Sequence, residues 1–167
     1  MVRYYHKLLM KHDKRRERKN IVVMKSRIEK IKSLSGSWME SYFFPPASES
    51  EISEYEKSNN IIIPKSYKEF LMLTNGARIF GSDMCLYGVS GDINHYLNYD
   101  FTDGSVPEEL LILGDYNDTH ICYDHHDDIY VRYRDEKYEC IKEECVIFDD
   151  FCEVLDFVID VVDEEDE

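Results

Sequence analysis

The chain has 167 residues, 43% of them hydrophobic and 13% aromatic, which suffices for one domain with a buried core and excludes a wholly disordered protein. Its charge is unevenly divided, because residues 1–32 carry a net charge of +9 and the remaining residues one of −24. An acidic body repels nucleic acid and membrane surfaces and attracts basic proteins, so we expect neither nucleic acid nor a membrane as its partner.

Residues 1–23 form a basic N-terminal extension or arm, whose role the sequence leaves open. A few apolar and aromatic side chains near the start precede a basic block from Lys11 to Lys19. Such a segment can be a solvated arm, fold back onto the acidic body, or contact a membrane or nucleic acid. Met24 looks like the natural beginning of a domain, so we expect a single domain over residues 24–162, followed by an acidic tail at 163–167.

A helix is predicted over residues 21–34, where apolar residues recur at helical spacing opposite a basic face. Ser35-Gly36-Ser37 ends it. An aromatic cluster follows, and we expect it to pack across the helices as core, with a partner-binding patch as the alternative. Its members are Trp38, Tyr42, Phe43 and Phe44.

Residues 48–81 predict two short helices joined by an extended link. Ser48 and Glu51 have the spacing of a capping box, which begins the first helix, and Asn59-Asn60 ends it. The run Ile61–Ile63 precedes Pro64 and is therefore expected to be extended. Pro64 suits the first turn of the second helix, where its missing N–H costs nothing.

The second helix is predicted to bury one face, because Tyr67, Phe70, Leu71 and Thr74 lie at i, i+3, i+4 and i+7. Asn75-Gly76 supplies a left-handed stop for this helix. We expect the apolar residues of the whole stretch 48–81 to pack within the scaffold rather than to bind a partner.

The second half of the chain predicts short strands separated by polar turns, which favours an antiparallel meander. Residues 93–103 suit either a helical turn or a loop. The predicted strands are Met84–Val89, Leu111–Gly114, Thr119–Asp124, Ile129–Arg134, Tyr138–Ile141 and Cys145–Phe148.

A last helix is predicted from Phe151 to Val162, since apolar residues recur there at i, i+3, i+4, i+7, i+8 and i+11. Asp149 or Asp150 can cap its start. The elements together predict an α+β fold with N-terminal helices, a mainly antiparallel β-sheet meander, and a C-terminal helix packed on the core.

The order of these motifs resembles the SUKH superfamily, which contains the Smi/Knr-type cell-wall-assembly regulators and many bacterial immunity proteins. The resemblance lies in an acidic helix, the phrase I-I-I-P-K-S-Y-K-E-F-L, the pair N-G with I-F-G, and later V-P-E-E-L-L-I-L-G-D-Y. Bacillus-type antitoxins of polymorphic toxins in this group share P-K-S-Y-K-x-F-L. The resemblance implies structural motif positions at Pro64, Tyr67, Phe70, Leu71, Asn75, Gly76, Pro107 and Gly114.

The polar clusters do not predict catalysis, a metal or a cofactor. The densest of them, residues 124–128 (D-H-H-D-D), is expected to be a solvated hairpin turn, because a tight turn converges adjacent side chains poorly. His95 and His120 could complete a metal site there in space. We find no nucleophile elbow and no phosphate-binding glycine loop, and therefore expect no enzyme.

The compartment is predicted to be the cytoplasm. The five cysteines are odd in number and contain no C-x-x-C pair, which indicates free thiols in a reducing compartment. The N-terminus lacks the apolar core of a secretory signal, and no apolar run approaches the ~20 residues that span a bilayer.

The resemblance therefore implies a binding protein: an immunity protein that neutralises a cognate bacterial toxin. The charge favours a nuclease as target, met through an acidic surface, although acidity also serves solubility. The alternative is an intracellular regulatory or scaffold domain of the cell-wall-regulator type. The residues expected to bind the toxin are Asp115, Tyr116, Asp118, Tyr123, Asp124, Asp127 and Asp128. Each of them could equally be an ordinary solvated turn residue.

Overall fold

A computed structural model describes residues 20–34, 40–93, 95–100, 104, 106–134 and 146–165. The basic block from Lys11 to Lys19, Trp38, and the strand predicted at Tyr138–Ile141 lie outside these residues. Within the described ranges, no helix combines the length and the apolar character that crossing a membrane requires.

An antiparallel sheet forms the centre of the fold, and the order of its strands across the sheet is their order along the chain. This confirms the predicted meander, and β5 and β6 have the predicted bounds. The described strands are β1 (Tyr42–Phe43), β2 (Ala77–Ile79), β3 (Met84–Leu86), β4 (Leu110–Tyr116), β5 (Thr119–Asp124), β6 (Ile129–Arg134) and β7 (Val146–Phe148).

Helices before and after the sheet complete the predicted α+β fold. They are α1 (residues 20–34), α2 (Glu49–Asn59), α3 (Lys65–Leu71) and α4 (Phe151–Glu165). Met24 is fully buried within α1. The domain boundary expected just before Met24 therefore falls inside this helix, and that boundary stays a prediction.

Side-chain caps begin two of the helices as predicted. The Ser48 N–H donates to Glu51 Oε2 at 2.8 Å, and the Glu51 N–H donates to Ser48 Oγ at 3.3 Å, which completes the capping box of α2. Asp150 Oδ1 accepts from the N–H groups of Cys152 and Glu153 at 2.7 and 3.2 Å and caps α4.

The predicted face of α3 is buried, with Tyr67, Phe70 and Leu71 fully inaccessible. The Phe151 ring of α4 lies 4.7 Å from the Tyr67 ring and 5.0 Å from the Phe70 ring, so α3 and α4 share one aromatic core on the sheet. Pro64 caps α3 from outside rather than occupying its first turn, which corrects its expected position by one residue.

The end expected for α3 at Asn75-Gly76 is wrong, because the helix stops at Leu71. The segment before α2 forms hydrogen bonds with the backbone groups that would otherwise continue the helix. Its hydrogen bonds run from the Ala47 N–H to Leu71 O (2.9 Å), from the Asn75 N–H to Pro45 O (3.2 Å) and from the Phe44 N–H to Gly76 O (3.2 Å). Gly76 is left-handed, as expected, but it serves the turn into β2, where a Cβ would lie 2.6 Å from the Leu86 carbonyl oxygen.

The aromatic cluster at 42–44 was expected in the core, and for Tyr42 this is wrong. Tyr42 and Phe43 form the edge strand β1, and Tyr42 is 52% exposed. Successive side chains of a strand point to opposite faces, so Tyr42 points away from the core against which Phe43 packs.

Candidate functional site

The seven residues expected to contact a partner lie at two opposite ends of the sheet. Consecutive hairpin turns of a meander face opposite ways, and the six residues of β5, at about 3.3 Å each, separate these two turns by roughly 20 Å. Three residues, Asp115, Tyr116 and Asp118, lie at the β4–β5 turn, and four, Tyr123, Asp124, Asp127 and Asp128, lie at the other end.

At the β4–β5 turn, two of the three residues are occupied by contacts within the fold. The Tyr87 hydroxyl donates to Asp115 Oδ2 at 2.6 Å, and burial raises the pKa of Asp115. The Tyr116 ring packs edge-on against Phe157, with the Arg132 guanidinium 4.7 Å from its centroid. Asp115 and Tyr116 are therefore held in place by the fold.

At the other end, the β5–β6 turn (residues 125–128) is built by carboxylates. Asp124 Oδ1 accepts from the backbone N–H groups of His126 and Asp127 at 2.8 and 3.3 Å, which fixes the start of the turn. Asp128 is left-handed, with φ of 56°, and accepts a hydrogen bond from the Tyr123 hydroxyl. Burial, helped by this hydrogen bond, raises the pKa of Tyr123 to about 12.

The histidines of this turn diverge. His125 packs edge-on against Tyr123 with ring centroids 4.8 Å apart, whereas His126 Nδ1 lies 2.7 Å from Asp127 Oδ1. Two further histidines of the described residues belong elsewhere, since His95 stacks on Tyr99 and His120 Nε2 lies 3.4 Å from Asp100 Oδ1. Among the described residues, no three His, Cys, Asp or Glu side chains are arranged to hold a metal ion.

An acidic cleft of about 320 Å³ opens on one side of the β5–β6 turn, where the starts of α1, α3 and α4 meet the sheet. Of the described residues there, four are carboxylates and one is a lysine, and Glu69 among the carboxylates is only 5% exposed. Two tyrosines form part of the wall, and the hydroxyl of Tyr130 is hydrogen-bonded to that of Ser66. The acidic cleft is lined by Asn20, Pro64, Lys65, Ser66, Glu69, Tyr123, Asp128, Tyr130, Asp149 and Asp150.

A second depression of about 490 Å³, the isoleucine groove, opens beside the same turn. Ile62 is 70% exposed in it although the neighbouring Ile63 is 1% exposed, so the expectation that the apolar residues of 48–81 all pack within the scaffold is wrong for Ile62. The isoleucine groove is lined by Asn60, Ile61, Ile62, Asn98, Glu108, Glu109, Leu110, Leu111 and His125.

The two depressions adjoin, because Tyr123 lines the acidic cleft and His125, whose ring touches it, lines the isoleucine groove. We call this surface the β5–β6 end: Asp124, the β5–β6 turn, the acidic cleft and the isoleucine groove. Among the residues that the structure describes on this surface, Lys65 is the one lysine, and it stands against eight carboxylates, which are Glu69, Glu108, Glu109, Asp124, Asp127, Asp128, Asp149 and Asp150.

Sequence reasoning found the turn at the centre of this surface and missed most of its surroundings. Glu69, the pair Glu108 and Glu109, and the two aspartates just before α4 come from three separate parts of the chain, which only the folded topology joins. Ile62 did carry a signal: in an extended link, the residue between two inward-facing isoleucines must point outward.

Residues 46–156 match the model of the SMI1 / KNR4 family (SUKH-1), which confirms the resemblance to the SUKH superfamily. No curated protein matches the chain. The matched range covers more than half of the chain. Of the residues lining the acidic cleft and the isoleucine groove, it includes all but Asn20.

Proposed function

This chain belongs to the SMI1 / KNR4 family (SUKH-1), and we propose that it is an immunity protein that binds and neutralises a cognate bacterial toxin through its β5–β6 end. The observation that carries the proposal is that eight carboxylates gather against one lysine, within the described part of the chain, on a surface with two depressions. The toxin that such a surface fits best is one with a basic substrate-binding cleft, as in a nuclease.

Electrostatic complementarity supplies the mechanism. A cleft that binds nucleic acid presents Lys and Arg to phosphates, and an array of protein carboxylates can occupy the same positions and exclude the substrate. The net charge of −15 on the whole chain adds long-range attraction toward a basic partner, which raises the association rate at low ionic strength.

The role proposed here is binding without catalysis, in the cytoplasm of the cell that makes the toxin. The hydroxyl groups in the acidic cleft support it. With its pKa raised to about 12, Tyr123 stays protonated at neutral pH and serves as a hydrogen-bond donor, here to Asp128. Burial also raises the pKa of Tyr130.

The test is growth rescue upon co-expression with the toxin encoded by the adjacent gene, combined with charge reversal. We expect the triple variant Glu108→Lys, Glu109→Lys, Asp149→Lys to lose rescue and to lose most of the salt dependence of binding. These three exposed side chains lie on the β5–β6 end without building its turn.

The matched control has the same change in net charge at exposed positions elsewhere: Glu54→Lys on α2, Asp83→Lys before β3 and Asp160→Lys on α4. It should rescue growth like the unaltered chain. Equal rescue by both triple variants would refute binding through the β5–β6 end. If the unaltered chain itself failed to protect against the toxin, the regulatory or scaffold role of the cell-wall-regulator type would be favoured.

A further inference from the structure

The link between α2 and α3 holds Ile62 outward by backbone hydrogen bonds on both sides of it. The Ile61 N–H donates to the Glu56 carbonyl oxygen at 3.1 Å, and the Ile63 N–H donates to the Glu56 carboxylate at 2.7 Å. Lys68 Nζ, on α3, lies 2.8 Å from the same carboxylate. Because the residues around it are fixed, Ile62 loses little backbone freedom when a partner binds, and this preorganisation favours affinity.

The isoleucine groove beneath it has an apolar floor and an acidic rim. Leu111 is 4% exposed and Leu110 is half-buried, so the floor presents hydrocarbon to the opening. Glu108 and Glu109 stand exposed on the rim, and the described residues that line the groove include no lysine or arginine. A ligand that fills it must therefore combine an apolar group with positive charge nearby.

The charge of this chain selects among the possible occupants. The acidic body of a second copy, with its net charge of −24, and the phosphates of nucleic acid are both repelled by the two rim glutamates. A basic protein surface that presents one apolar side chain satisfies the floor and the rim together.

We propose that the isoleucine groove takes an apolar side chain of the toxin that is flanked by Lys or Arg, with Ile62 as the central contact. The proposal rests on the proposed function and specifies its partner surface. Charge on the rim orients the basic residues, and the apolar contact, once desolvated, slows dissociation.

The experiment measures the affinity of Ile62→Ser and Ile62→Asp for the catalytically inactivated toxin whose toxicity the unaltered chain relieves. Titration calorimetry at low and high salt is the assay. We expect Ile62→Ser to weaken binding by about tenfold and Ile62→Asp by about a hundredfold, the range found for central apolar contacts. The Ser effect should persist at high salt, because an apolar contact is not screened.

Two further variants sharpen the outcome. Tyr42→Ser removes an exposed aromatic ring from the edge strand β1, outside the groove lining, and should change affinity by less than about twofold. Glu108→Gln with Glu109→Gln should weaken binding at low salt only. Unfolding midpoints of the Ile62 variants confirm that they fold.

The results separate the two proposals. If the unaltered chain binds the toxin and both Ile62 variants bind equally well, the role of the isoleucine groove is refuted and the proposed function stands. If the unaltered chain does not bind the toxin, the proposed function and the role of the groove both fall.

Discussion

Replacement of Tyr67 by phenylalanine tests whether the family motif on α3 belongs to the scaffold and not to the recognition surface. Tyr67 is fully buried, and its hydroxyl lies 2.7 Å from the Tyr87 carbonyl oxygen and 2.9 Å from the Leu113 carbonyl oxygen. It therefore ties α3 to the sheet at the exit of β3 and in the middle of β4.

The magnitude follows from what each carbonyl loses. A hydroxyl has one hydrogen, so it donates fully to one of the two oxygens at a time, and Leu113 O still accepts from the Tyr87 N–H at 2.8 Å. Phenylalanine keeps the ring contacts. The loss is then close to one buried hydrogen bond, about 1–1.5 kcal/mol in the free energy of unfolding. For a chain of this size, each kcal/mol lowers the unfolding temperature by roughly 2–4 °C.

Urea unfolding followed by circular dichroism measures this loss, and calorimetry with the inactivated toxin measures binding. We expect a lower midpoint with an unchanged slope, and an unchanged affinity for toxin at a temperature where the variant is folded. Tyr42→Phe, at a position that is 52% exposed, should stay within about 0.5 kcal/mol of the unaltered chain. Equal stability of Tyr67→Phe and the unaltered chain would show that the hydroxyl does not hold α3, and a weakened affinity of the folded variant would place α3 in the recognition surface.

Two further changes test the local structure. Hydrogen bonds from the Ser48 side chain and backbone lower the pKa of Glu51 from 4.5 to about 2, so its ionised form stabilises the fold above pH 4.5 and this contribution is lost as the pH falls toward 2. The unfolding midpoints of Glu51→Gln should therefore lie below those of the unaltered chain at pH 7 and converge with them near pH 2. A difference that stays constant with pH would contradict this origin. Gly114→Ala should lower the free energy of unfolding by about 2–3 kcal/mol, because a Cβ there would lie 2.3 Å from the Cys85 carbonyl oxygen across the β3–β4 pair. An unchanged urea midpoint would show that the two strands can move apart without a loss of stability.

The elements that the sequence predicts well are those fixed by neighbours along the chain. The capping box at Ser48 and the cap at Asp150 depend on side chains that reach N–H groups two or three residues ahead. The strand bounds at 119–124 and 129–134 follow from polar turns on both sides. The end of α3 was missed because residues 44–47, distant in sequence, compete for the backbone groups beyond Leu71.

Only the part of the candidate site that lies within a single turn could be predicted from the sequence. The aspartates from Asp124 to Asp128 are close in sequence and stay close in space. Asp115 and Tyr116 have the same acidic and aromatic character, but they lie at the other end of β5 and make contacts within the fold. Whether a carboxylate is free to meet a partner depends on burial and hydrogen bonds, which composition does not encode. Glu69, 5% exposed inside α3, belongs to the acidic cleft only because α4 and the β5–β6 turn close around it.

Under the proposed function, the charge and the hydrocarbon on the β5–β6 end act on two different rate constants of toxin binding. Exposed carboxylates act at a distance of about one Debye length, roughly 8 Å at physiological salt, and so mainly raise the association rate. Ile62 acts only on contact and so mainly lowers the dissociation rate. A cell that makes its own toxin needs both, since capture must precede damage and release must be slow. Reversal of the rim charges should therefore slow association, and Ile62→Ser should speed dissociation, when the two are resolved by surface plasmon resonance.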